Sequence, residues 1–176
     1  MHIRKATLKD AEQIAKVHVD SWRTTYETII PQAFLDGLSY SKRTPLWEQN
    51  LSKPDNYVLV AENEESIIVG FADTSKRAEN KYRNSLDLTS IYLLAEYQGQ
   101  GIGRALLEEL FAYYETQNVE KVFVEVLADN KTKHFYEAFG ATHVRDRDIQ
   151  IAGKVLIESI YVWDLGKEET NDFTYN

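Results

Sequence analysis

The stretch "YQGQGIGRALLEEL" (Tyr97–Leu110) places three glycines at alternate positions directly before a run of helix-forming residues. Glycine weakens regular structure because it loses more conformational freedom on folding than any other residue. The preceding run "SLDLTSIYLL" (85–94) predicts a strand, so Gly99, Gly101 and Gly103 lie in a strand-to-helix turn. Free N–H groups at a helix N-terminus attract an anion, and glycines let that anion approach the backbone. The stretch therefore predicts a turn that binds phosphate.

Three nucleotide-binding patterns compete for this turn. A Walker A loop requires G-x-x-x-x-G-K-[ST], but Gly103 is followed by Arg-Ala. A dinucleotide fingerprint requires G-x-G-x-x-G, but its last position is Arg104, and the acidic Glu125 further on lies inside a predicted strand rather than at its end. The third pattern, Q-x-x-G-x-G, is matched in full by Gln98, Gly101 and Gly103.

The composition is that of an ordinary globular protein, and it limits the chemistry. The 176 residues are 43% hydrophobic and 27% charged, and this length and composition predict one domain. The last residues, "GKEETNDFTYN", are polar, so we expect the domain to cover 1–165 and a polar tail to cover 166–176. The absence of cysteine excludes disulfides, zinc–thiolate sites and a cysteine nucleophile. Four scattered histidines give no metal-binding spacing, so we expect no metal.

Charge and hydropathy indicate where the protein acts. The formal net charge of −8 disfavours nucleic-acid partners, because such binding depends on Lys and Arg neutralising phosphates. The N-terminal "MHIRKATLKD" lacks the apolar core of a signal peptide, and no apolar run approaches the roughly 18 residues of a membrane span. We therefore expect a cytoplasmic protein with neither a nucleic acid nor a membrane as partner.

The spacing of apolar residues predicts the element order β-ααα-βββ-α-β-α-ββ, an α/β (α+β) domain with a mixed sheet. Expected strands are 2–7, 56–62, 66–74, 85–94, 121–128, 142–151 and 154–165. The first expected helix follows the first strand. Further helices are expected at 31–38 and 44–51, after the glycine turn, and within 130–140.

A second motif follows the turn. Asn130 precedes a short helix with the pattern F-Y-x-x-x-G, matched by Phe135, Tyr136 and Gly140. With Q-x-x-G-x-G and the element order, this motif makes nearly the whole domain, from "HIRKAT" to "YVWDL", resemble the GNAT superfamily of acyl-CoA N-acyltransferases. The resemblance implies a mostly antiparallel central sheet flanked by helices, with acetyl-CoA as cosubstrate.

The resemblance also implies which residues bind coenzyme A. In the family the Q-x-x-G-x-G turn wraps the pyrophosphate, a role that falls here to Gln98, Gly99, Gln100, Gly101, Ile102, Gly103 and Arg104. The preceding strand separates from its neighbour, and its free backbone groups pair with the pantetheine arm. Those contacts fall to Ile91, Tyr92 and Leu93, with Asn130 and Tyr136 completing the set.

Acyl transfer to an amine requires one proton to leave the nitrogen and one to reach the departing sulfur. Tyr136 lies where the family places a tyrosine near that sulfur, and the alternative is a core aromatic. Asp87, eleven residues before Gln98, lies where several relatives carry a glutamate base, and the alternative is a solvent-facing charge. Trp22 and Tyr26 are expected either to shape the acceptor pocket, stacking on a cation, or to pack in the core.

These features predict an N-acetyltransferase that moves an acetyl or short acyl group from acetyl-CoA to a primary amine of a small molecule or peptide. Because cysteine and a G-x-S-x-G elbow are both absent, we expect direct transfer in a ternary complex. The alternatives are an acyl-CoA-binding sensor that transfers nothing and a nucleotide-binding protein of another class. The sequence leaves open the acceptor, the acyl chain, the base and the oligomeric state, a homodimer being possible.

Overall fold

The computed structural model describes residues 1–166, so the predicted polar tail, apart from its first residue, lies outside the described residues. Within residues 1–166 seven strands form one sheet: β1 His2–Lys5, β2 Tyr57–Glu62, β3 Ile68–Ser75, β4 Ser85–Leu93, β5 Lys121–Leu127, β6 Thr142–Ile151 and β7 Lys154–Asp164. The α-helices of this part of the chain are α1 Ala11–Thr25, α2 Gln32–Asp36, α3 Tyr40–Leu51, α4 Ile102–Thr116 and α5 Thr132–Ala138. The predicted element order is confirmed.

The sheet is mixed but mostly antiparallel, as predicted. Its strand order is β1-β2-β3-β4-β5-β7-β6, and β4 and β5 run parallel while every other pair is antiparallel. A parallel pair needs a long crossover, which α4 provides. The β6–β7 hairpin turns at Ala152 and Gly153, whose φ angles of 51° and 79° fit the two-residue turn that matches strand twist.

Helices cover both faces of the sheet, as strand β2 shows. Leu59 packs in one cluster with Leu106 of α4, whereas Val60 packs in another with Ile14 of α1 and Trp47 of α3. Successive side chains of a strand point to opposite faces. Helix α4 therefore covers one face, and α1 with α3 covers the other.

Helix α3 begins earlier than predicted. The expected start near Thr44 followed from the preference of proline for a first turn, here Pro45. The helix instead begins at Tyr40, because the hydroxyl of Ser39 caps it by accepting a hydrogen bond from the N–H of Lys42 at 3.4 Å. Pro45 consequently lies inside the helix.

Strand β4 is paired along one half and free along the other. Its pairing with β5 runs from Ser85 to Leu88, where Leu88 lies opposite Val124, and then ends. On its other edge β4 carries a bulge, since Ser90 and Leu88 lie opposite consecutive residues of β3 and Thr89 is the extra residue. A bulge bends a strand and increases its twist. The two parallel strands therefore separate beyond Leu88, and the gap between them opens toward the glycine turn.

Candidate active site

The glycine turn joins β4 to α4 after a short 3-10 helix (Ala95–Tyr97). Gly99 and Gly101 have φ angles of 72° and 82°, which residues with a side chain rarely adopt. Gly103 faces α5, and a Cβ there would lie 3.4 Å from Cζ of Phe135, which is an ordinary van der Waals distance. The path of the turn therefore favours glycine at Gly99 and Gly101, whereas neither φ nor space requires it at Gly103.

The backbone of this turn carries unused donors. The N–H groups of residues 99–104 donate no hydrogen bond to an acceptor within residues 1–166, and the first bond of α4 runs from Ala105 N–H to Gly101 O at 3.0 Å. A Cβ placed on Gly99 or Gly101 would meet no atom within 4 Å, so the space beside them is open. Free donors at the positive end of a helix dipole form an anion-binding site. The turn therefore fits a pyrophosphate group.

A cleft of about 640 Å³ opens beside the turn, within the roughly 300–1,000 Å³ that is usual for ligand sites. Its walls bring together nine of the predicted cofactor residues: Ile91, Tyr92, Leu93, Gln98, Gly99, Gly101, Gly103, Arg104 and Asn130. The other three predicted residues are not among these walls: Gln100 is exposed, Ile102 is buried in the core, and Tyr136 lines a small neighbouring cavity. The end of α1 and the turn after it contribute residues that the sequence did not indicate, namely Thr24 and Thr25 of the helix and Thr28 of the turn.

Two amide side chains fix the edges of the cleft. Gln98 Nε2 donates to the carbonyl of Leu93 at 3.3 Å, which ties the turn to the end of β4. Asn130 is buried, and its Oδ1 accepts from the N–H of Thr132 at 3.0 Å while its Nδ2 donates to the hydroxyl of Tyr26 at 3.4 Å. Asn130 therefore shapes the loop before α5 as well as the wall of the cleft.

Tyr136 lies at the point where the parallel strands separate. It is buried, and it lines a small cavity of about 30 Å³ together with Ile91 and Tyr92 of the cleft wall. Its hydroxyl makes no hydrogen bond within residues 1–166, and burial raises the pKa of this phenol above its ordinary value. Tyr136 therefore does not line the cleft itself, but its unengaged phenol lies in a cavity that shares wall residues with the cleft.

Asp87 lies elsewhere. Its carboxylate is buried, and Oδ2 accepts from the N–H of Arg77 at 2.9 Å and from the amide of Asn80 at 3.0 Å. Asp87 lines neither the cleft nor the small cavity, and it stands four residues before Ile91 on β4, about 13 Å at 3.3 Å per residue. The structure therefore does not bring Asp87 together with Tyr136, and its role as base stays a prediction.

Trp22 and Tyr26 do lie together, with ring centroids 4.8 Å apart in an edge-to-face arrangement. Tyr26 is buried and contributes to a core cluster with Leu127 of β5, but it also lines the small cavity. Trp22 lines a separate cavity, described next. Tyr26 thus packs in the core and both residues line cavities, while their role at the acceptor stays a prediction.

A second cavity, of about 260 Å³, shares Tyr92 with the cleft. We call it the aromatic pocket, because four rings line it together with one acid and one base: His18, Trp22, Trp47, Tyr92, Asp73 and Arg43. Sequence analysis identified only Trp22 and Tyr92 of these as site residues. A signal existed for Asp73, which is a charged residue within the otherwise apolar run "SIIVGFADT".

Two other expectations concern metals and membranes. Within residues 1–166 no group of three His, Asp or Glu side chains could hold a metal ion. Among the helices of the same residues, none is both long enough and apolar enough to cross a bilayer.

Known proteins with similar sequences include enzymes of one family. Residues 17–141 match the model of the Acetyltransferase (GNAT) family. The uncharacterized N-acetyltransferase YuaI of Bacillus subtilis (strain 168) is 37% identical over 161 residues, which cover 92% of this chain and 91% of that protein. Spermidine N(1)-acetyltransferase of Thermoplasma acidophilum is 29% identical over 113 residues, which cover 62% and 67%.

The fold has close counterparts among solved structures. One is yncA from Salmonella typhimurium, whose structure contains its cofactor acetyl-CoA; the TM-score is 0.74, the identity 20%, and 98% of each chain is covered. The family match and the relative from Bacillus subtilis confirm the resemblance that the two motifs indicated. The chain therefore belongs to the GNAT family, and it is an acetyltransferase.

Proposed function

We propose that this enzyme transfers an acetyl group from acetyl-CoA to the primary amine of a small molecule, directly and within a ternary complex. The cleft would hold coenzyme A, with its pyrophosphate on the glycine turn and its pantetheine arm along the free edge of β4. The observation that carries the proposal is the row of unused N–H donors over residues 99–104, which opens onto a cleft of suitable size.

Acetyl-CoA supplies an activated acetyl group as a thioester. The amine nitrogen forms a bond to the acetyl carbon while the carbon–sulfur bond breaks, so one proton must leave nitrogen and one must reach sulfur. The Tyr136 hydroxyl supports the second transfer, because it is free, protonated and located in a cavity that shares wall residues with the cleft. The absence of cysteine from the chain supports attack by the amine itself.

The first experiment tests the coenzyme A site. Gly101→Val should abolish coenzyme A binding in calorimetry, because a side chain at φ 82° forces the turn into another path. Gly153→Val is the matched control, since Gly153 has a φ of 79° but lies in the β6–β7 hairpin. Undiminished affinity in a folded Gly101→Val variant would refute the assignment.

The second experiment separates the enzyme from an acyl-CoA sensor and tests the direct route. Amines, amino acids, polyamines and peptides are screened with thiol release as the readout, and two-substrate kinetics follow for the best acceptor. Intersecting double-reciprocal lines are expected for a ternary complex. Parallel lines, or an acetylated protein trapped without acceptor, would contradict direct transfer. Tight coenzyme A binding without turnover on any acceptor would instead favour the sensor.

A further inference from the structure

The aromatic pocket contains two opposite charges that the proposed transfer does not use. Asp73 of β3 is 3% exposed, and Arg43 of α3 is half-buried. Within residues 1–166 neither forms an ion pair, with the other or with any third group. Buried charges are normally paired, because removing them from water is costly. An acid and a base that line one cavity without touching are complementary to a ligand with both charges.

The acid end of the pocket is built for a cation. The hydroxyl of Ser90 donates to one oxygen of Asp73, and the amide of Asn50 donates to the other at 3.2 Å. These neutral donors hold the carboxylate in place without neutralising it. Burial raises the pKa of Asp73, although its hydrogen bonds and the charge of Arg77 act in the opposite direction. A bound ammonium would supply the missing positive charge.

The base end is built for an anion. The guanidinium of Arg43 makes no hydrogen bond within residues 1–166, and guanidinium groups bind carboxylates in a bidentate manner. The indole N–H of Trp22 has almost no exposed surface, so a ligand in the pocket cannot reach it, and the contact with an anion falls to Arg43.

The rings between the two ends fit an apolar body of limited size. Trp47 Nε1 donates to Nδ1 of His18 at 3.1 Å, and burial with the nearby Arg43 lowers the pKa of His18 to about 3. His18 is therefore neutral and does not repel an ammonium. The pocket volume of about 260 Å³ lies just below the roughly 300–1,000 Å³ typical of drug-sized ligands. The occupant is a small molecule.

The aromatic pocket also adjoins the region in which the acetyl group would be transferred. Thr89 and Ser90 line both the aromatic pocket and the small cavity that contains Tyr136, and Tyr92 lines these two and the cleft. An amine held at Asp73, beside Ser90, would therefore lie next to the point where the cleft ends.

We propose that the aromatic pocket binds the acetyl acceptor as a zwitterion, with Asp73 paired to its ammonium and Arg43 bound to its carboxylate. The acceptor class is the free amino acids with an apolar side chain. This inference rests on the proposed acetyl transfer for its meaning, but the contacts themselves can be measured without turnover.

The test measures binding to the protein saturated with coenzyme A, in which no reaction can occur. The standard amino acids are ranked by calorimetry, and the best binder is compared with its two truncated forms. For L-leucine these are 3-methylbutylamine, which lacks the carboxylate, and 4-methylpentanoate, which lacks the amine. The amino acid should bind roughly 10- to 100-fold more tightly than either, as expected for loss of a hydrogen bond to a charged group.

Three variants assign the contacts. Arg43→Gln should weaken the binding of the amino acid and of 4-methylpentanoate roughly 10- to 100-fold, while the binding of 3-methylbutylamine stays unchanged. Asp73→Asn should weaken the binding of the amino acid and of 3-methylbutylamine but not the binding of 4-methylpentanoate. Lys42→Gln, an exposed change on the same helix as Arg43, should alter none of them. Coenzyme A affinity serves as the check that each variant is folded.

The outcomes separate this inference from the proposed function. If no standard amino acid binds, or if the amine binds as well as the amino acid, the zwitterion site is overturned even where amines are acetylated. An Arg43→Gln variant that loses all three ligands equally would overturn it too, because the effect would then be structural. If amino acids bind with the predicted pattern but are never acetylated, the pocket inference stands and the proposed acetyl transfer to that class fails.

Discussion

The hydroxyl of Tyr26 lies 2.9 Å from the hydroxyl of Tyr92, which joins the C-terminal end of α1 to the free half of β4. Asn130 Nδ2 donates to the same Tyr26 oxygen at 3.4 Å, so three separate segments meet at one point beside the cleft. Tyr26 is buried and Tyr92 lines all three cavities. This contact holds the wall between the cleft and the aromatic pocket.

Removing either hydroxyl should reveal the coupling between them. Tyr26→Phe and Tyr92→Phe should each lower the free energy of unfolding by about 1–3 kcal/mol, because each leaves a buried hydroxyl short of a partner. The double variant should lose less than the sum, with a coupling of about 0.5–3 kcal/mol in urea denaturation. Tyr82→Phe, on an exposed ring, is the control. Strict additivity would show that the two hydroxyls do not stabilise one another.

Much of this architecture could be predicted because it is encoded locally. The glycine turn and Asn130 lie within short motifs whose residues are required by backbone geometry, and nine of the predicted cofactor residues line one cleft. Strand β6 matches its predicted bounds, 142–151, because alternating polarity and the turn at Ala152–Gly153 define it.

The aromatic pocket could not be predicted in the same way. Arg43, Asn50 and Asp73 come from α3 and β3, and their meeting depends on how the helix packs on the sheet. The bulge at Thr89 had no sequence signal either, although it places Ser90 beside Asp73. Tertiary packing, rather than any local pattern, created this site.

Asp87 has a structural role that its spacing along the strand did not indicate, and its role as base stays a prediction. Its position before Gln98 suggested a base, but its carboxylate accepts from Arg77 N–H and from Asn80, and these bonds hold the loop between β3 and β4. We expect Asp87→Ala to lower the free energy of unfolding by about 1–3 kcal/mol, because two part-buried donors lose their acceptor. Calorimetry or urea denaturation measures this loss.

The matched variant Asp87→Asn decides between the two roles. An asparagine oxygen can still accept both hydrogen bonds but cannot take a proton from the amine. We expect kcat to stay within a few-fold of the wild-type value. A loss of 100-fold or more in Asp87→Asn, with stability unchanged, would restore Asp87 as the base.

Tyr136→Phe should isolate the contribution of the free hydroxyl. Because this hydroxyl makes no hydrogen bond within residues 1–166, its removal leaves no described partner unsatisfied, and stability and coenzyme A affinity should change little. We expect kcat to fall by about 100- to 10,000-fold, the range for general acid–base assistance. Tyr114→Phe, which loses a buried hydroxyl bonded to Thr74 at 3.0 Å, is the control for core damage. Full activity in Tyr136→Phe would make Tyr136 a packing residue.

His18 should make the stability of the fold depend on pH. Burial, with a smaller contribution from Arg43, lowers the pKa of His18 from 6.5 to about 3, so the unfolded chain binds a proton more readily than the folded one. Stability therefore falls as the pH decreases from 6.5 toward 3. The slope cannot exceed about 1.4 kcal/mol per pH unit, and partial exposure of the ring makes it smaller.

The measurement compares the wild type with His18→Asn between pH 6.5 and 5. The Oδ1 of asparagine takes the place of Nδ1, so it can still accept from Trp47 Nε1, which donates to His18 at 3.1 Å, but it has no proton to gain in this range. Carboxyl groups with lowered pKa, such as Asp10, contribute below this window and are common to both proteins. The free energy of unfolding of the wild type should therefore fall steadily relative to that of the variant as the pH decreases. Parallel pH profiles would show that His18 takes up a proton in the folded protein, which would also remove the neutral ring from the aromatic pocket.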